Sequence, residues 1–127
     1  MVAEVRDFLA EAIERAVSAG IDRTGIIVDP GIGFGKTGRH NLLLLQHLDK
    51  LAALGVPLLV GPSRKRFIRN LVKPPSREDI APDRPEVETG TQAAVAAAVM
   101  NGAHIVRVHD VANTKAMVTV LDAIRMA

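Results

Sequence analysis

The first part of the chain places apolar residues at the spacing of an amphipathic α-helix. From 2 to 19 they recur at i, i+3 and i+4, and Gly20 stands where a helix commonly ends. This stripe consists of Val5, Phe8, Leu9, Ala12, Ile13, Ala16 and Val17. The same spacing predicts a second helix over about 41–54 that ends at Gly55, with a buried stripe of Leu44, Leu45, Leu48, Leu51 and Leu54.

Three short apolar runs interrupt this helical pattern. They cover 25–28, 56–60 and 104–111, and each is rich in valine, isoleucine or leucine. Runs of this length and composition are typical of strands that are buried in a parallel sheet. We therefore predict three strands, each followed by glycine or polar residues.

The remaining segments predict three more helices and one loop. A short helix over 63–72 is expected to be capped by Ser63. The segment 73–87 holds four of the seven prolines and is predicted to be an exposed loop. A helix over about 92–101 consists mostly of small residues, so we expect it to be buried or to pack very close to a neighbour. The last helix is predicted to begin near Asn113.

This alternation of helices and strands predicts an α/β fold. The order is α-β-α-β-α-β-α when the two helical segments between the second and third strands are counted together, which favours a parallel sheet of βα units. A (β/α)8 barrel takes about 250 residues, so 127 residues correspond to about half of one. Polar and glycine residues cluster at the carboxyl ends of the predicted strands, where such folds bind their ligands.

Composition narrows the classes of function. The net charge is only +2, and basic and acidic residues are mixed along the chain, so no nucleic-acid partner is indicated. The only aromatic residues are Phe8, Phe34 and Phe67, too few for a base-stacking platform. Without cysteine there is no disulfide, thiolate metal site or cysteine nucleophile. No membrane span or signal peptide is recognisable, so a cytoplasmic protein is expected.

The first candidate for chemistry is the glycine-rich segment 29–37, which follows the first predicted strand. It fails as a P-loop because Pro30 stands at the first glycine position, and as a dinucleotide fingerprint because Lys36 stands at the last one. Asp29 could accept two hydrogen bonds from the edge of a 2-aminopyrimidinone. The alternative is a carboxylate that only caps the turn before Pro30.

Basic residues follow the other two predicted strands. Arg107 and His109 lie two positions apart on the third strand, so their side chains point to the same side, next to a helix start near Asn113. This arrangement favours a phosphate site. The second strand is followed by Ser63, Arg64, Lys65 and Arg66, which could hold an anion or form a solvated face.

Other polar residues give weaker signals. His40, His47 and His104 have no such neighbours along the chain and are interpreted as structural. No element carries His, Asp and Glu residues at the spacing of metal ligands, so no metal site is predicted in this chain.

Taken together, the motifs closely resemble the C-terminal half of bacterial dihydropteroate synthases, within the wider pterin-binding group. The resemblance extends over essentially the whole chain and is carried by 29–37, His40-Asn41, Ser63-Arg64-Lys65, Gly90-Thr91 and 107–111. It implies the C-terminal part of a (β/α)8 TIM barrel, with about three parallel strands and four helices. The partial domain at 1–127 would run from the helix before strand six through helix eight.

The resemblance implies a transferase of folate biosynthesis, the target of sulfonamides. The reaction condenses 6-hydroxymethyl-7,8-dihydropterin pyrophosphate with p-aminobenzoate to give dihydropteroate and pyrophosphate. Lys65, Arg107 and His109 would be catalytic. The pterin would be bound by Asp29 and Lys65. The pyrophosphate would be bound by Arg107, His109 and Asn113. The path of p-aminobenzoate would be lined by Phe34, Lys36, Ser63 and Arg66, and the substrate site would also include Gly33 and Arg64.

Two family motifs have no counterpart in this sequence: an Asn-bearing loop that helps to bind Mg²⁺ and pyrophosphate, and the Asp and Asn residues that complete the pterin pocket. Mg²⁺ is expected for the full enzyme, but the loop that would help to bind it is absent from this chain. Little turnover is therefore expected from this chain alone. One alternative is a non-catalytic pterin- or phosphate-binding half-barrel that self-associates through unpaired sheet edges, and a homo-oligomer is expected. Another is a free-standing three-stranded α/β domain that binds a phosphorylated metabolite.

Overall fold

The computed structural model, which describes residues 1–127, contains six helices and a small parallel sheet. None of the helices combines the length and the apolar character needed to cross a lipid bilayer. In chain order the elements are α1 (Val2–Ser18), a 3-10 turn (Arg23–Gly25), α2 (Gly38–Gln46), α3 (Asp49–Ala52), β1 (Leu59–Val60), α4 (Arg66–Val72), α5 (Pro85–Met100), β2 (Ile105–Val106) and α6 (Val111–Arg125).

Three parallel backbone segments lie side by side in the sheet. β1 pairs with β2, with Leu59 opposite Ile105 and Val60 opposite Val106. On the other edge of β1, Val28 forms a single parallel bridge, and its carbonyl accepts a hydrogen bond of 2.8 Å from the Leu59 N–H. The three predicted strands are therefore side by side and parallel, although regular pairing covers fewer residues than predicted.

The first predicted strand, over 25–28, is wrong in its extent. The Asp22 carboxylate accepts hydrogen bonds from the backbone N–H and the hydroxyl of Thr24, at 2.9 and 2.8 Å, and these bonds stabilise the 3-10 turn. Only Val28 then pairs with the sheet. The third strand is also shorter than 104–111, since regular pairing ends at Val106. The His109 N–H donates to Ser63 Oγ, and the Asp110 carboxylate caps the N-terminus of α6 through the Asn113 N–H at 3.0 Å.

α4 and α5 begin at residues other than the predicted ones. α4 begins at Arg66 rather than at Ser63, which is not its cap. α5 begins at Pro85 rather than near 92, so the loop is shorter than 73–87. Proline suits the first helical position because its missing N–H would have no partner there.

The predicted helix over 41–54 is divided into α2 and α3, and it starts at Gly38 because Thr37 caps it. The leucine stripe is confirmed as the centre of the core: Leu44, Leu48 and Leu51 are fully buried. In α1 the stripe is less deeply buried than expected, since only Leu9 and Ile13 are buried and the Phe8 side chain is 63% exposed.

Candidate functional site

A cleft of about 350 Å³ opens at the carboxyl ends of the three sheet segments. This volume lies within the range of about 300–1,000 Å³ that is usual for small-molecule sites. Six of the predicted site residues line the cleft, together with Gly61 and Val108, which were not predicted; the six are Asp29, Phe34, Ser63, Lys65, Arg107 and His109.

Lys65 is the most constrained cation of the cleft. Its ammonium group donates to the Ile32 carbonyl and lies 4.7 Å from the centroid of the Phe34 ring, within cation–π distance. Burial lowers the pKa of Lys65 from its ordinary value of 10.5, and the positive charges of Arg107 and Lys36 lower it further, against the opposing effect of Asp29. The cleft is therefore a place where positive charge accumulates.

The backbone before Lys65 adopts a conformation that side chains other than glycine rarely take. Arg64 has φ +58°, in the left-handed region. Its N–H donates to the hydroxyl of buried Thr91 at 3.0 Å, and its carbonyl accepts from the Arg69 guanidinium at 2.6 Å. These bonds hold the turn from both sides and direct Lys65 into the cleft.

The glycine-rich loop is held by two polar side chains. Asp29 accepts a hydrogen bond of 2.8 Å from the Gly31 N–H through Oδ1, so it caps the turn while it also lines the cleft. Buried Asn41 accepts from the Gly33 N–H at 2.8 Å and donates to the Thr37 carbonyl at 3.0 Å. Gly33 lies directly against Lys65: a Cβ there would be 2.7 Å from the lysine Cδ.

Arg107 and His109 face the cleft together, as their spacing predicted. The Arg107 N–H donates to the Val60 carbonyl at 3.0 Å, the last ladder bond between β1 and the segment after β2. His109 is connected to Ser63 instead, through its backbone N–H and its ring Nδ1.

The other predicted residues are not among those that line the cleft. The Lys36 ammonium donates to the carbonyls of Gly31 and Phe34, at 2.9 and 3.0 Å, within its own loop. The Arg64 guanidinium pairs with Glu88 of α5 at 3.4 Å, and Arg66 is exposed at the start of α4. Asn113 uses its backbone N–H on the Asp110 cap.

Asn41 and Thr91 also support the site, although neither was predicted as a site residue. Both occur in the motifs that carry the family resemblance, but their buried hydrogen bonds to the backbone of Gly33 and Arg64 depend on tertiary contacts. The useful signal is that each is a polar residue on an apolar helix face.

The chain has no cluster of side chains that could by themselves hold a metal ion. No three His, Cys, Asp or Glu side chains come together as they would around one. The Mg²⁺ expected for the full enzyme would therefore need ligands beyond a three-residue cluster of this chain.

Comparisons with known proteins show which family this chain is similar to. The family model for pterin binding enzymes matches residues 1–109. The chain is similar to the dihydropteroate synthase of Mycobacterium leprae, with 47% identity over 111 residues that cover 87% of this chain and 38% of the relative. The chain spans about two-fifths of the length of the curated relatives it matches.

Solved structures show the same likeness. Dihydropteroate synthase from Xanthomonas albilineans with 4-aminobenzoic acid aligns with a TM-score of 0.90 and 45% identity, over 99% of this chain and 44% of that one. The complex of the same enzyme with 7,8-dihydropteroate gives a TM-score of 0.90 and 45% identity, over 99% and 45%. The expected partial (β/α)8 TIM barrel is thereby confirmed. With this match over most of its length, the chain belongs to the pterin binding enzyme family.

Proposed function

We propose that this chain, corresponding to the region from the helix before strand six through helix eight, forms the pterin- and pyrophosphate-binding part of a dihydropteroate synthase. The observation that carries the proposal is the meeting of one carboxylate, Asp29, with three groups that can donate to anions: Lys65, Arg107 and His109. They come from all three segments of the sheet and face one cleft.

The pterin would lie between Asp29 and Lys65. The amino-pyrimidinone edge carries N–H donors that suit a carboxylate, and its ring oxygen and nitrogen atoms suit an ammonium donor. Lys65 is already aligned by the Ile32 carbonyl and the Phe34 ring, so little side-chain freedom would be lost on binding.

The pyrophosphate would lie against Arg107 and His109. In the reaction, the bond between the pterin methylene carbon and the pyrophosphate oxygen breaks, and the electron pair leaves with pyrophosphate. The amine nitrogen of p-aminobenzoate then bonds to the methylene carbon and loses a proton. Groups fixed around the departing anion stabilise the charge that develops on it, which is the largest electrostatic demand of this step.

The relatives support this assignment of substrates. One Xanthomonas albilineans structure is described with 4-aminobenzoic acid and another with 7,8-dihydropteroate. Those ligands contain the arylamine and the pterin of the proposed reaction.

Calorimetric titration with 6-hydroxymethyl-7,8-dihydropterin pyrophosphate tests the proposal. Lys65→Ala and Arg107→Ala should each weaken binding by at least about tenfold, since each removes a charged hydrogen bond. Arg77→Ala, in the exposed loop 73–84, removes the same charge far from the cleft lining and should have no effect. Binding that is equally strong in all three variants, or absent in the unaltered chain, would overturn the proposal.

A second candidate is a non-catalytic binding half-barrel that self-associates. Two apolar residues of the sheet region favour it, since the side chains of Ile27 and Ile105 are 55% and 37% exposed. Light scattering distinguishes the candidates together with a coupled assay that supplies both substrates and Mg²⁺. Ligand binding by an oligomer without turnover favours the second candidate, whereas turnover near that of a full-length relative excludes it.

A further inference from the structure

Ser63 and His109 are joined by two hydrogen bonds that share the serine oxygen. The His109 backbone N–H donates to Ser63 Oγ at 3.2 Å, and Oγ lies 2.7 Å from Nδ1 of the same histidine. Ser63 is buried, with only 7% of its surface exposed, and Oγ makes no other hydrogen bond. Which of the two atoms, Oγ or Nδ1, carries the proton between them therefore follows from the few hydrogen bonds that Oγ can make.

A serine hydroxyl has one proton to donate and can accept two hydrogen bonds. The backbone N–H already fills one acceptor position of Ser63 Oγ. If Nδ1 carried a proton, it would fill the second, and the hydroxyl proton would be buried without an acceptor. If the hydroxyl donates to Nδ1, every polar group is satisfied, which is the condition that buried polar groups normally meet.

We propose that Ser63 is a positioning residue that fixes neutral His109 as the tautomer protonated at Nε2. The ring nitrogen left available to the cleft is then a donor, which is the property that phosphate oxygens require. The opposite tautomer would present a lone pair to the anion. The role toward pyrophosphate rests on the proposed function, whereas the tautomer itself does not.

His104 provides an internal reference for the tautomer of His109. His104 Nδ1 accepts a hydrogen bond of 3.0 Å from the Leu58 N–H, so that ring is also protonated at Nε2, but through a backbone donor that Ser63 does not touch. His104 should keep its tautomer in every variant of Ser63.

Long-range proton–nitrogen NMR of the four imidazole rings tests the inference on the ligand-free chain, at an alkaline pH where free imidazole is neutral, with His109→Gln to assign the signals. His109 is expected to be protonated at Nε2. Ser63→Ala should give a mixture of tautomers, and Ser63→Thr, which keeps the hydroxyl, should retain the original one. A wild-type ring protonated at Nδ1, or an unchanged tautomer in Ser63→Ala, would overturn the inference. If Ser63→Ala does not fold, the wild-type tautomer and the threonine variant still decide.

Binding of inorganic pyrophosphate provides the second measurement. Ser63→Ala should weaken it by about three- to tenfold, the worth of one hydrogen bond, and Ser63→Thr should restore it. In a His109→Ala background, Ser63→Ala should have no further effect, because its action passes through the ring. An Nε2 tautomer without any pyrophosphate binding would refute the proposed function and leave the positioning of His109 by Ser63 intact, whereas binding that is unaffected by Ser63→Ala would refute the positioning alone.

Discussion

The Lys65 ammonium nitrogen lies 4.7 Å from the centre of the Phe34 ring and donates at the same time to the Ile32 carbonyl. A cation that follows β1 therefore closes over the loop that follows Val28. The loop and the lysine form one unit, since moving the loop removes both partners of the ammonium group. This coupling makes the glycine-rich loop part of the site even where its own side chains are short.

Replacing Lys65 with methionine should separate binding from stability. Burial lowers the pKa of Lys65, so between that lowered pKa and 10.5 the unfolded chain binds more protons than the folded one. Stability contributed by this group therefore rises with pH through that window, and the charge is a cost to folding below it. At neutral pH the variant should be at least as stable as the wild type, and it should lose pterin pyrophosphate binding.

Urea unfolding at neutral pH and near pH 10 checks the expectation for Lys65. The stability advantage of the variant should shrink as the pH approaches 10.5. Lys50→Met, on the exposed side of α3, serves as the control for loss of a lysine charge. A Lys65→Met chain that is clearly less stable at neutral pH than the wild type and than Lys50→Met would contradict this expectation.

Two glycines of the same loop allow the contact with Lys65 to be isolated. Gly33 and Gly35 both have positive φ, +86° and +59°, so alanine at either should cost about 1 kcal/mol in backbone strain. Only at Gly33 would the new Cβ lie 2.7 Å from Lys65 Cδ, whereas nothing lies within 4 Å at Gly35. Gly33→Ala should therefore also weaken pterin pyrophosphate binding in calorimetry, and Gly35→Ala should not. Equal binding losses would show that the loop conformation, rather than the contact with the lysine, matters.

Asn41 should be essential for the shape of this loop although it does not line the cleft. Asn41→Ala leaves the Gly33 N–H without its buried acceptor, which should lower the free energy of unfolding by about 1–3 kcal/mol. Asn70→Ala, on the exposed face of α4, is the control and should change stability little. Denaturant unfolding measures both, and similar values for the two would show that the loop has another anchor.

Much of the fold follows from local patterns in the sequence. The leucine stripe of 41–54 places the centre of the core because apolar residues at helical spacing must be buried together. Strand lengths were not predictable in the same way. Asp22 and Asp110 bind neighbouring backbone N–H groups, and such local hydrogen bonds compete with the continuation of a strand.

The candidate site was likewise predictable from the sequence only in part. Asp29, Arg107 and His109 could be placed in one cleft because the carboxyl ends of parallel strands meet at one edge of the sheet. The direction of long side chains could not be predicted. Arg64 adopts a left-handed conformation and pairs with Glu88, a partner that becomes a neighbour only when α5 packs against α4.

The Arg69–Asp79 pair should give the chain a defined response to acid. Hydrogen bonds from the Arg69 guanidinium and the Ile80 N–H lower the pKa of Asp79 from 3.8 to about 2. A lowered carboxyl pKa contributes stability that is fully present above 3.8 and is lost as the pH falls through about 2. Asp79→Asn should therefore be less stable than the wild type at neutral pH, and this difference should vanish toward pH 2.

Urea unfolding across the acid range measures the contribution of Asp79. Asp83→Asn removes a carboxylate of the same loop that has no ion pair, so it is the matched control. A wild-type advantage over Asp79→Asn that stays constant from neutral pH to pH 2 would exclude the ion pair as its source.

Gly90 should be required by the packing of α5 against α4. Alanine in a helix interior is normally more favourable than glycine by about 1 kcal/mol. At Gly90, however, the added Cβ would lie 2.7 Å from Ile68 Cγ2, and a β-branched side chain in a helix has essentially one allowed rotamer and cannot swing away. Overpacking of this kind costs about 1–3 kcal/mol, so Gly90→Ala should destabilise the chain on balance.

Two comparisons make the Gly90 prediction specific to the clash with Ile68. Gly38→Ala also adds a methyl group to a helical glycine, but its Cβ would meet only Phe67 Cβ at 4.0 Å, so its free energy of unfolding should stay equal or rise slightly. Ile68→Leu removes the offending methyl group from Cβ, so Gly90→Ala should cost less in that background than in the wild type. A Gly90→Ala chain that is more stable than the wild type, or an unchanged cost in the leucine background, would show that α4 and α5 can separate enough to accept the side chain, and that the small residue is not what sets their distance.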